Sequence, residues 1–238
     1  CGTPFLEIIR EVLRNEHDLV MIADESRGRL KERLVGTTAI HLMRKCPCPV
    51  WVVSHTQPEH HSGILAAVDL PSFDDESFAL NLKIMDLATA LARQQQCDLA
   101  VVHPWTFPAE RHLSRGYLVA PSELDRWGRR ARDLRRRRLA KLLRPYLLED
   151  LKSQVYMLKG ESRHCIPKLA AKMKVGVIVM GAVSRMGVAG LLIGDTAERI
   201  LRQVDCSVVT VKPDEFITPV TLNGEQRCLS GERAELQS

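Results

Sequence analysis

The sequence predicts an α/β fold: a doubly wound, mainly parallel sheet, present once in full and once as a second half. Three observations predict it. Short apolar runs of strand length alternate with segments of helical periodicity, the pattern of βαβ units with helices on both faces. Residues 2–53 lie without a gap on residues 160–211, so one unit occurs twice. The composition, 45% apolar and 26% charged, is that of a globular chain. With only 5% aromatics, Val, Ile, Leu and Ala must fill its cores.

The repeat fixes the elements of both copies. Twelve aligned positions are identical, among them Gly2/Gly160, Ser26/Ser184, Gly36/Gly194, Arg44/Arg202 and Cys48/Cys206. Ala39, Leu42, Met43 and Cys46 recur at i, i+3, i+4, i+7, as do Ala197, Ile200, Leu201 and Val204, which marks one helix face in each copy. Leu19–Ala23 and Val177–Gly181 read as buried strands, as do Val50–Val53 and Val208–Val211.

The second copy continues upstream. Ile64–Leu70 is a strand, and Asp74–Gln95 a helix with Leu80, Ile84, Leu87 and Leu91 on one face. Asp98–Val102 is a strand, and residues 106–120 a loop. Glu123–Tyr146 is a basic helix with Leu124, Trp127, Ala131, Leu134, Leu139 and Leu142 on its apolar side. Val155–Leu158 is a strand ending at Gly160, and Ile166, Leu169, Ala170 and Met173 mark the next helix. Strand, helix and strand follow at Val175–Met180, Asp195–Val204 and Cys206–Val211. Nothing ahead of Gly2 matches the elements ahead of Gly160, so the first copy is expected to be N-terminally truncated. The organisation is therefore 1–54 as a half domain, 55–63 as linker, 64–213 as a complete domain and 214–238 as a loose, acidic tail.

Charge and cysteine usage exclude several classes. Ten basic residues and one acid, Asp133, lie between Arg126 and Arg144, so the net charge of +5 is local and the rest of the chain is acidic. Because apolar residues recur at helical spacing there, a solvated amphipathic face accounts for the arginines and nucleic acid is not expected. Seven scattered cysteines argue against a disulfide framework and for a reducing compartment. No apolar run approaches the ~20 residues needed to span a bilayer. Cys46-Pro-Cys48 near His41 could suggest a metal, but Cys48 matches Cys206 and Cys46 matches Val204, so both read as small core residues. No metal site is expected. No Ser/His/Asp or Cys/His set has a supporting context, so no catalytic residues are assigned.

Ligands of open parallel sheets bind beyond the carboxyl ends of the strands. That singles out Asp69, His103 and the loop after Met180, where four glycines (Gly181, Gly187, Gly190 and Gly194) precede a helix N-terminus. Such a loop suits a phosphate, because backbone N–H groups and the helix end converge on an anion.

Taken together, Ile64-Leu-Ala-Ala-Val-Asp69, Val179-Met-Gly181, Leu192-Ile-Gly194-Asp-Thr196-Ala-Glu198 and Cys206-Ser-Val-Val-Thr-Val211 resemble the universal stress protein domain. The resemblance covers 64–213 in full and 2–53 as a second half, and is greatest to the tandem, UspE-like type. It implies a five-stranded parallel sheet of order 3-2-1-4-5, a cytoplasmic location and a role in stress resistance. It also implies self-association, by intramolecular pairing of the domains or as a homodimer.

ATP-binding members carry Gly-x2-Gly-x9-Gly followed by Ser or Thr, with a strand-one Asp at the adenine. By position, Asp69, Met180, Gly181 and Gly194 match, whereas Ser184 replaces the second glycine and Asp195 the final Ser/Thr. Thr196 could donate from one residue further on. In the partial copy Ala23, Ser26, Gly36 and Thr37 hold these places. The resemblance thus implies ATP or another nucleotide around Asp69, Met180, Gly181, Ser184, Gly194, Asp195 and Thr196, with a slow ATPase left open. A carboxylate at Asp195 would oppose a phosphate by a few kcal/mol at close range. This leaves a second expectation, a non-nucleotide-binding member working through dimer or partner contacts.

Overall fold

Among the described residues, seven short strands form one sheet: β1 (Val20–Ala23), β2 (Val50–Val53), β3 (Ile64–Ala67), β4 (Leu99–Trp105), β5 (Gln154–Lys159), β6 (Val177–Gly181) and β7 (Ser207–Val211). The computed structural model describes residues 3–24, 36–55, 63–70, 75–106, 121–146, 153–182 and 195–222. Across the sheet the order is β1-β2-β7-β6-β3-β4-β5. Within the complete copy this is the expected 3-2-1-4-5, and its neighbouring strands all run parallel.

The sheet is wider than the five strands expected, because β2 adds antiparallel to the outer edge of β7 and brings β1 with it. The register at this join is Val50↔Thr210, Trp51↔Val209 and Val52↔Val208. In the repeat, Val50 matches Val208, Trp51 matches Val209 and Val52 matches Thr210. The two copies therefore meet across a local two-fold axis through the Trp51–Val209 pair.

Helices cover both faces. On one lie α1 (Pro4–Asn15), α2 (Thr37–Lys45), α5 (Ser162–Met173) and α6 (Asp195–Leu201). Phe5, Ile9 and Val12 of α1, Leu42 and Met43 of α2, Leu169 of α5 and Ile200 of α6 share one core with Leu65, Ala67, Ile178 and Val208 of the sheet. The opposite face is covered by α3 (Asp75–Gln95) and the end of α4 (Pro121–Leu143). There Ile84, Met85, Ala88, Leu139 and Leu142 pack on Ile64, Ala66, Val179 and Val209. Successive β3 residues alternate between these cores, as the two-residue period of a strand requires. Each large side chain so buried contributes about 1.5–3 kcal/mol.

The copies agree in detail. Helices α1 and α5 occupy repeat-equivalent positions and both end in a left-handed cap, Glu16 at φ 50° and Lys174 at φ 51°.

Two expectations change. Trp127 and Leu134 of α4 are exposed, at 39% and 37%, whereas Leu139 and Leu142 are buried. A 23-residue helix is about 35 Å long at 1.5 Å per residue, and seven-residue β4 about 23 Å, so a helix of this length overruns the strand it follows. The start of the expected loose tail, 214–222, is tied down at two points: Val220 is 5% exposed within the α1 core, and Arg10 Nε donates to the Thr221 carbonyl at 3.3 Å. Residues 223–238 and most of the linker, 56–62, lie outside the described residues. Among the described residues no helix is long and apolar enough to cross a membrane.

Candidate functional site

A cleft of about 410 Å³ opens beyond the carboxyl ends of β3, β4 and β5. Its first wall is the tip of β3. Val68 N–H donates to the Val102 carbonyl at 2.9 Å, which carries the pairing with β4 one residue past the strand. The next residue, Asp69, is exposed and lines the cleft. Its backbone is held by Asn81 of α3, a buried residue: Asn81 Oδ1 accepts from Asp69 N–H at 2.8 Å, and Asn81 Nδ2 donates to the Asp69 carbonyl at 2.6 Å. The carboxylate thus stands on a backbone clamped from both sides.

The second wall is the end of β4, which runs through His103, Pro104 and Trp105 rather than stopping at Val102 as the periodicity suggested. Pro104 is tolerated because β3 has ended there, leaving β4 a local edge. His103 is 1% exposed, and its Nδ1 lies 3.2 Å from the Val68 carbonyl. Burial, aided by the charge of Arg135 and opposed by the Val68 bond, holds its imidazole below the ordinary pKa. The ring is therefore neutral at pH 7, with Nδ1–H as donor, and Nε2 an acceptor with no partner among the described residues. Arg135 of α4 lies over the Trp105 ring at 5.4 Å and brings a guanidinium to the cleft.

The third wall is the start of α5. Gly160 has φ +150°, and a Cβ there would meet Cys165 Sγ at 2.7 Å, so only glycine lets β5 turn into α5 this tightly. Its N–H donates to the Trp105 carbonyl at 2.8 Å. Glu161, Ser162 and Arg163 follow into the cleft, with Arg163 Nε donating to Glu161 Oε2 at 2.6 Å. Thr196 and Arg199 of α6 complete the lining. Among the described residues of the lining, three guanidinium groups thus face two carboxylates, a balance that favours an anionic ligand.

Of the sequence-predicted residues, Asp69 and Thr196 come together in this cleft. Met180 is buried in the core shared with α1 and α2. Gly181 ends β6, and a Cβ there would stand 3.0 Å from Leu80 Cδ2 and 3.8 Å from Ile84 Cδ1, so its small size serves packing against α3. Neither is among the described residues of the lining. Asp195 opens α6, but its side chain, Ser184 and Gly194 lie outside the described residues. In the partial copy Ala23 ends β1, Gly36 is the N-cap of α2 and Thr37 its first residue, and Ser26 lies outside the described residues. Sequence reasoning missed Asn81, Arg135, Arg163 and Arg199. Gly160, identical in both copies, was the one signal pointing to the α5 wall.

A profile of the universal stress protein family matches residues 2–54 and 64–212. The chain belongs to the universal stress protein family. Universal stress protein E of Salmonella typhi is 35% identical over 231 residues, covering 93% of this chain and 69% of the relative. Universal stress protein E of Escherichia coli is 33% identical over 233 residues, covering 94% of this chain and 69% of the relative. Among solved structures, a functionally unknown protein from Pseudomonas aeruginosa is similar at 26% identity with a TM-score of 0.70, covering 90% of this chain and 70% of the other. A universal stress protein from Archaeoglobus fulgidus shares the fold at 16% identity and a TM-score of 0.61, covering 89% and 67%. This universal stress protein is thus UspE-like over most of its length.

Proposed function

We propose that this universal stress protein acts in stress resistance in the cytoplasm by binding a nucleotide or another phosphate-bearing small ligand in the cleft. The observation that carries the reading is that Asp69 and Thr196, distant in sequence, line one cleft together with Arg135, Arg163 and Arg199. Asp69 accepts from an amino or hydroxyl group of the ligand, and the guanidinium groups take its phosphate oxygens. Asp195 at the start of α6 disfavours phosphate at that helix end. The anionic part of the ligand is therefore assigned to the side where Arg135 and Arg163 stand.

Equilibrium binding of labelled ATP to the full chain tests this, beside Asp69→Asn, Arg163→Gln and Asp195→Ser. Binding by the native chain, weakened about tenfold or more in the first two variants, is expected, since one lost charged contact is worth about 1.5–3 kcal/mol. A native chain that binds no ATP at millimolar concentration, while Asp195→Ser does, supports the second reading, a member working through contacts between domains. The antiparallel β2–β7 join is the observation that favours that alternative.

A further inference from the structure

Cys46 and Cys48 flank Pro47 in the turn between α2 and β2. Cys46 caps α2, with its N–H donating to the Leu42 carbonyl at 2.9 Å, and is fully buried; Cys48 is half-buried. Their Sγ atoms are 3.5 Å apart, in hydrogen-bond contact. A third group lies within electrostatic reach of both sulfurs. Lys212, one residue past β7, is 3% exposed, and its Nζ has no hydrogen-bond partner among the described residues. Its ammonium lies over the Phe216 ring, 5.1 Å from the centroid.

A buried ammonium without an anion is costly, and the sulfurs are the groups placed to supply one. The hydrogen bond from Cys46 pushes the Cys48 thiol below its ordinary pKa. Burial opposes this, Lys212 adds to it, and Asp18 opposes it. The same bond and burial push Cys46 up. Burial brings Lys212 down to about 8, against the pull of both sulfurs. Both thiol directions give the sulfurs the same roles: Cys46 is the donor of the 3.5 Å contact, and Cys48 is the sulfur eased towards its thiolate form. Packing alone does not call for the pair, because the other copy fills the position of Cys46 with Val204, itself buried.

We propose that Cys46, Cys48 and Lys212 form a reactive dithiol site whose substrate is a hydroperoxide. The Cys48 thiolate attacks the terminal peroxide oxygen. An S–O bond forms, the O–O bond breaks, and the alkoxide or hydroxide leaves with a proton from Lys212 or water. Cys48 is then a sulfenic acid. Cys46 gives up its proton and its sulfur attacks Cys48, forming the S–S bond and releasing water. The two thiols lose two electrons and the peroxide gains them.

The test uses the full chain and hydrogen peroxide. Trypsin, cutting after Lys45 and Lys83, yields a peptide 46–83 that holds Cys46 and Cys48 and no other cysteine. After peroxide, alkylation and digestion, this peptide is expected to lose two hydrogens and take no alkyl label before Cys97, Cys165 or Cys206 reacts. In Cys46→Ser, dimedone is expected to trap a sulfenic acid on Cys48, and in Lys212→Met the reaction is expected to slow about tenfold, one unit of thiol pKa. Peptide 46–83 alkylated at both cysteines while Cys97 or Cys165 is oxidised would overturn the proposal. So would a folded Lys212→Met chain that reacts at the native rate. If Lys212→Met does not fold, the dimedone result on Cys46→Ser decides, and failure to label Cys48 overturns it.

Discussion

Replacing Asn81 by Leu removes the clamp on the tip of β3 while keeping the branched, four-heavy-atom shape of the side chain. Two bonds are lost, from Asp69 N–H at 2.8 Å and to its carbonyl at 2.6 Å. An orphaned buried backbone group costs about 1–3 kcal/mol. Because the Asp69 side is open to water, the lower end applies to each, for a sum of about 2–3 kcal/mol. At roughly 2–4 °C per kcal/mol for a chain of this size, the thermal midpoint falls by about 5–10 °C. Asn81→Asp sharpens the test. It keeps an acceptor for Asp69 N–H but sets a carboxylate against the Asp69 carbonyl, so at neutral pH it is expected to cost more than the Leu variant. This facing oxygen raises the folded-state pKa of the new carboxyl, so its deficit must shrink on acidification, where the protonated acid donates as Asn81 did. Thermal melts by circular dichroism at two pH values read both effects. A shift under about 1 °C for Asn81→Leu, or an Asp variant no worse than the Leu variant, would refute the reasoning.

Gly160→Ala should destabilise the chain by about 2–4 kcal/mol in urea titrations, from backbone strain and the clash with Cys165. Adding Cys165→Ala should recover only the clash. Burial pushes the Glu198 carboxyl up, but Arg202 and Arg44 outweigh it and hold it below the ordinary range, so its contribution is present above that range and is lost as the pH falls through the folded-state value. Glu198→Gln should therefore cost about 0.5–1 kcal/mol at neutral pH, and the difference from the native chain in urea midpoint should vanish in acid. Ile200→Ala, at a fully buried position between both copies, should cost about 3 kcal/mol, and calorimetry should show α2 and α6 melting in a single transition.

Much of the fold was legible because the repeat reports each element twice. The helix at Ile166, Leu169, Ala170 and Met173 has its mate in α1, down to the cap residues Glu16 and Lys174. What was not legible depends on contacts that leave no local mark. Nothing in Val50–Val53 says that it pairs with β7, because any apolar strand of that length would read the same. The helical spacing of Trp127 and Leu134 was read correctly, but periodicity does not report where the sheet beneath a helix ends. The cleft was legible at Asp69 through its place after a strand. Arg163 and Arg199 look like ordinary surface arginines until Gly160 and the α6 turn bring them to one opening. The absent Cβ of Gly181 reads as a loop signal in sequence, whereas in the structure Leu80 occupies that space.

The near-dyad at Trp51 and Val209 lies within a single polypeptide. A join between separate subunits must be made of the same residues on both sides, so every change there occurs twice. Here one side can change alone, and it has: Arg44 bonds Glu198 at 2.5 Å, whereas the residue matching Glu198 in the first copy is Ile40, which cannot return the contact. Because the partners are tethered, their pairing is governed by effective concentration rather than by dilution.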